Sequence, residues 1–125
     1  MATQLATKVG IKNNTGGNAS ILVFHQNTST GTQRGMWQAE PGQTVGPLNV
    51  LFETGLTVFD WWSVLIHVSD GPAAGFYVSS GSPLEPYWND CTLRSSDAGK
   101  LLTFAVSTTK FASFDSFTAA SSRSR

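Results

Sequence analysis

The sequence predicts an all-β protein, an antiparallel two-sheet β-sandwich of about eight or nine strands. Three observations carry this. Short runs of β-branched and aromatic residues recur at close spacing, several with apolar side chains at every second position. Clusters of Gly, Asn, Asp, Ser and Pro separate them, and these are the residues that turns require. No window shows convincing helical periodicity, and no internal repeat points to a trefoil or propeller.

The elements follow in order. Thr7 to Lys12 reads as a first strand, ended by the turn signal Asn13-Asn14-Thr15-Gly16-Gly17. Ser20 to His25 is a second strand, and Gln26 to Gly35 a polar loop. Met36 to Gln38 is a short strand before the Glu40-Pro41-Gly42-Gln43 turn, and Asn49 to Glu53 is another. The clearest strand is Trp62 to Val68, with Trp62, Val64, Ile66 and Val68 on one face and Ser63, Leu65 and His67 on the other. Ser69 to Gly75 is a hairpin loop, from which Phe76 to Ser79 returns antiparallel. Pro83 and Pro86 block a strand in the next loop. Cys91 to Arg94 and Leu101 to Val106 are further strands. Phe111, Phe114 and Phe117 recur every three residues, as a bent edge strand or one helical turn. Residues 1–117 are expected to form a single domain, and 118–125 a disordered tail.

The 125 residues suit one domain with a proper core. Charged residues make up 13%, about half the usual share, and the eight basic and eight acidic residues cancel. No basic footprint for nucleic acid arises from such a balance, whereas weak colloidal repulsion favours a homo-oligomer. The single cysteine, Cys91, excludes a disulfide framework and an all-cysteine metal site. It follows Asp90 and has no cation close by in sequence, so it is expected to be a poor nucleophile. With no apolar leader in residues 1–20, a free thiol points to the cytosol. Asn13, Asn18 and Asn27 match the glycosylation acceptor pattern but carry no weight without a secretory signal.

Two segments stand out, Phe59-Asp60-Trp61-Trp62 and Pro86-Tyr87-Trp88-Asn89-Asp90-Cys91. Each sets tryptophan beside Asp at a strand end, which supplies flat apolar area next to directional hydrogen bonds. Trp62 shares a phase with Val64 and Ile66 and belongs to the core. Trp61 points the opposite way. The expected ligand-binding set is Trp61, Tyr87 and Trp88 for stacking or insertion, with Asp60, Asn89 and Asp90 for polar contacts. The ligand would be a membrane lipid headgroup or a glycan.

Catalysis has little support. His25 and His67 are read as hydrogen-bonded surface imidazoles, no metal motif joins them, and no phosphate loop precedes a helix. Asp60 and Asp90 could pair as a glycosidase-like dyad, but a chain this short leaves little room for a cleft. No catalytic residue, metal or cofactor is expected. The other readings are a self-assembling structural protein without a small ligand, and a small hydrolase using a His and a carboxylate.

The early Asn-Asn-Thr-Gly, the Trp before a Pro-Gly turn, and Tyr87-Trp88-Asn89-Asp90-Cys91 resemble the aegerolysin-like proteins. In fungal aegerolysins the last segment is Tyr-Trp-Asp-Cys, one residue shorter. Asp60-Trp61-Trp62-Ser63-Val64, Asp70-Gly71-Pro72-Ala73-Ala74-Gly75 and Gly99-Lys100-Leu101-Leu102-Thr103-Phe104 are similar to one branch. These are the fungal and bacterial homologues of nematode proteins up-regulated in long-lived animals. The resemblance spans about residues 8–107. It implies an antiparallel sandwich, non-enzymatic recognition of membrane lipids and, for some members, a larger pore-forming partner.

Overall fold

The computed structural model of the chain describes residues 4–78, 88–90, 92–107 and 118–119. They form β1 (Leu5–Asn13), β2 (Ala19–Asn27), β3 (Gly31–Ala39), β4 (Thr44–Phe52), β5 (Asp60–Val68), β6 (Gly75–Val78), β7 (Asn89–Asp90), β8 (Leu101–Val106) and β9 (Thr118–Ala119). Among the described residues the protein is all-β, and its one helical element is a 3₁₀ turn at Ser95–Asp97. Seven strands have four or more residues. The expected eight or nine is reached only by counting the two-residue strands β7 and β9.

One sheet has the order β4-β1-β8-β9 and the other β3-β2-β5-β6, with β7 also paired to β5. Strand periodicity places one face of each sheet on a shared core. Val9 and Ile11 of β1, Val50 and Phe52 of β4 and Phe104 of β8 meet Ile21 and Val23 of β2 and Trp62, Val64 and Ile66 of β5. Each of these is at most 2% exposed, which makes them the main apolar drive to fold.

The ladders are not all antiparallel. β1 pairs with β8 in parallel, Lys8 opposite Leu101 through Asn13 opposite Val106. Antiparallel pairing throughout is the expectation from the sequence, because hairpin signals fix only strands that are neighbours along the chain. The partners β1 and β8 lie far apart in sequence, joined by a crossover that no local turn announces.

Strand lengths also differ from the sequence reading. The polar segment read as a loop over 26–35 belongs largely to β2 and β3, which pair without a break from Ala19–Ala39 to Asn27–Gly31. Polar residues are tolerated there because β3 is an edge strand with one solvated face. The expected strand at Cys91 to Arg94 is absent over 92–94, where the Leu93 N–H donates to the Asp60 carboxylate at 2.8 Å instead of a ladder carbonyl. Thr118–Ala119, at the start of the expected tail, pairs with Phe104 and Ala105 of β8. Cys91 and the three phenylalanines Phe111, Phe114 and Phe117 lie outside the described residues.

Candidate ligand-binding face

Alternation along β5 sorts its side chains. Trp62, Val64, Ile66 and Val68 are buried, and Trp61, Leu65 and His67 lie on the outer face. The registers of β2, β3 and β6 then build an apolar row across that face. Met36 stands opposite Leu22, Leu22 opposite Leu65, and Leu65 opposite Val78. Met36 is 63% exposed and Leu65 44%. The half-buried Phe24 is next on β2, opposite Ser63. At one end Trp61 stands opposite Gln26, and at the other His67 stacks on Phe76 with ring centroids 4.2 Å apart. This row is apolar on a solvated face, where an antiparallel sheet normally turns polar residues outward; Ser20, Gln38 and Arg34, the last opposite Phe24, supply polar flanks.

The predicted site residues are only partly brought together. Trp61 is half-buried on this face. β7 pairs with the same edge of β5, its backbone setting Asp90 opposite Trp61 and Asn89 opposite Trp62. Trp88, half-buried, directly precedes it. The two Trp–Asp segments therefore converge at the same end of β5. Tyr87 lies outside the described residues.

Asp60 is not a surface contact. It is fully buried and accepts three hydrogen bonds or short contacts. His25 Nε2 lies 2.6 Å and Asn27 Nδ2 3.0 Å from its Oδ1, and the Leu93 N–H lies 2.8 Å from its Oδ2. Asp60 is opposite Asn27 at the first position of β5, where the buried phase begins. A dyad of Asp60 with Asp90 in an open cleft is thereby ruled out for Asp60, whose oxygens are already occupied.

His25 is likewise buried, contrary to its expected surface position. Its Nδ1 lies 2.8 Å from Gln33 Oε1, which also accepts the Leu51 N–H at 3.3 Å. Its ring lies 4.5 Å from that of Trp62. The signal was present in the sequence, since His25 shares a phase with Ile21 and Val23. Asn27 completes the cluster by donating to the Glu53 carbonyl at 3.2 Å and accepting from the N–H groups of Ser29 and Thr30. Chemically this His–Asp pair is a plug. It ties β2, β3, β4, β5 and Leu93 together at one end of the core, with both side chains fully buried.

The amides in two of the glycosylation patterns are structural as well. Asn13 is buried and directs its Nδ2 at the carbonyls of Gly17, Ala39 and Glu40, at 2.9, 3.0 and 3.1 Å. Asn13 and Asn27 thus sit at opposite ends of the sheets, each closing a turn that the strands alone leave unsatisfied.

No group of three or more His, Cys, Asp or Glu side chains suited to a metal occurs among the described residues. No helix among them is long and apolar enough to cross a membrane. Comparison with protein-family models and with curated proteins finds no match to this sequence.

Proposed function

We propose that the protein is a non-enzymatic β-sandwich binding module whose contact surface is the outer face of the five-stranded sheet. The observation that carries this is the Met36-Leu22-Leu65-Val78 row, flanked by Trp61 at one end and Phe76 at the other. A contiguous exposed apolar surface rimmed by polar residues marks an interaction site. Flat aromatics beside that surface suit the boundary between headgroups and acyl chains, so a lipid membrane is the favoured ligand and a glycan the alternative. The aegerolysin-like resemblance points the same way. Vesicle co-sedimentation and a glycan array test the reading. Saturable binding to one of them, weakened by Trp61→Ala and Leu65→Asp, supports it. Absence of binding to both removes it.

The same row favours one second reading. It crosses four strands without a charged residue, and the chain's net charge is zero, which suits a homo-oligomer packed through this face. Light scattering across a concentration series separates the two. A dimer dissociated by Leu65→Asp, with no lipid or glycan binding, would establish assembly.

A further inference from the structure

The outer face of the four-stranded sheet, on the opposite side of the molecule's core, has a different chemistry. Outward positions on β1 alternate small residues with lysine, namely Ala6, Lys8, Gly10 and Lys12. Lys100 immediately precedes β8, and its carbonyl accepts the Lys8 N–H at 3.1 Å. Three of the chain's four lysines therefore gather on one sheet face. Strands β1, β4 and β8 contain no acidic residue, and none of the three lysines has a carboxylate partner among the described residues. A net charge of zero hides this local excess of positive charge.

The same face is dented. Ala6 stands opposite Leu51 and accepts the Gly99 N–H at 2.8 Å through its carbonyl, so two small residues lie side by side. Around them is a hollow of about 290 Å³, walled by Leu51 and Leu101 and reached by Lys8 and Lys100. Leu101 is 66% exposed and Leu51 38%, an apolar wall open to solvent. Lys8, with Asn49 opposite it on β4 and Leu101 opposite it on β8, closes one side. Beyond that ridge a second hollow of about 450 Å³ continues over Gly10, Gly46 and Pro47.

Apolar walls lined also by two lysines that have no carboxylate partner among the described residues fit a ligand with an alkyl tail and one negative head. We propose that this hollow binds a straight-chain carboxylate, its head between Lys8 and Lys100 and its tail along Leu51, Ala6 and Leu101. Charge complementarity selects the head, and the small residues on the floor make room for the tail. The site is separate from the outer face of the five-stranded sheet and does not depend on the function proposed for it.

Calorimetric titration with octanoate, octanol and acetate tests the proposal on the intact protein. Octanoate is expected to bind saturably at one site and to weaken as salt is raised. Octanol, which lacks the charge, and acetate, which lacks the tail, are each expected to bind at least about tenfold more weakly, equivalent to ~1.4 kcal/mol. Lys8→Ala with Lys100→Ala should cost octanoate a similar factor. Ala6→Leu should fill the floor and block binding with every lysine retained. Trp61→Ala, on the other sheet, should leave octanoate affinity unchanged whatever it does to the other face. Equal affinity for octanoate and octanol, unchanged affinity in the double lysine variant, or no saturable octanoate binding would each overturn the proposal. Circular dichroism verifies that the variants fold, those at Ala6, Lys8 and Lys100 being at exposed positions and that at Trp61 half-buried.

Discussion

Trp62 and Phe104 meet edge to face, with ring centroids 4.5 Å apart and planes at 76°. One ring comes from the centre of the five-stranded sheet and the other from the parallel partner of β1, so this contact spans the core between the sheets. Both side chains are fully buried. Trp62→Ala or Phe104→Ala is expected to cost about 3–5 kcal/mol, read from chemical denaturation. A double-mutant cycle should return a coupling of about 0.5–1.5 kcal/mol. Strict additivity would mean that the rings fill space without interacting.

Asp60 offers a sharper test, because its loss strands three donors at once. Asp60→Ala is expected to destabilise by about 2–5 kcal/mol, because each buried donor left without its acceptor costs about 1–3 kcal/mol. His25→Ala should cost about as much, and the double variant less than the sum. Losses below about 1 kcal/mol would mean that water reaches this plug.

The adjacent residues Trp61 and Trp62 should behave as opposites. Trp62 is shielded from acrylamide quenching by its burial, whereas Trp61 retains exposed surface. Trp61→Ala should leave stability within about 1 kcal/mol of the parent while lowering ligand binding. A large stability loss at Trp61 would reassign that ring to the core.

Asp70 ties two loops at one end of the five-stranded sheet. Its Oδ1 accepts the Asn18 N–H at 2.8 Å and its Oδ2 the Asn18 side-chain amide at 2.7 Å. The side-chain amide first, and the backbone N–H second, hold its carboxyl below the ordinary aspartate value. A depressed folded-state value means that the contribution is present above the unfolded value and lost as pH falls through the folded one. An NMR titration should find the Asp70 carboxyl below its value in the unfolded chain. Asp70→Asn should remove that share of the acid sensitivity. A midpoint equal to the unfolded value would show that the Asn18 contacts do not persist in solution.

Gly17 packs against the same loop. A side chain there would run into the Asp70 carbonyl and approach Val68. Gly17→Ala is therefore expected to destabilise by about 1–3 kcal/mol in a denaturant titration. Gly16→Ala gives an informative contrast. No neighbour lies near its Cβ, and any cost there would come from its φ of 85° alone.

The strands legible in the sequence were those whose period-two pattern is strong. β5 is legible over Trp62 to Val68, where four apolar side chains alternate with three others, and its end is matched, but its first two residues, Asp60 and Trp61, fall outside the expected strand. β3 was largely hidden, since Thr32, Gln33 and Arg34 are polar and carry no burial signal. Trp61 was assigned to the outer face by alternation alone, and the structure agrees. The burial of Asp60 and His25 was missed because polarity outweighed phase. Both residues continue an apolar stripe inward, and the partners that make this tolerable come from other strands and from Leu93. The apolar row across the outer sheet depends on the cross-strand register, which no single segment encodes.

The parallel pairing of β1 with β8 also constrains the order in which the protein can assemble. A chain made from its N-terminus has β1 in hand early, and β4 can cover one of its edges as soon as Phe52 has emerged. The other edge stays open until Leu101–Val106 arrives nearly fifty residues later. During synthesis this edge is open to wrong partners. Completion of the sheet is therefore a late, long-range event that couples β1 to a strand almost ninety residues further along the chain.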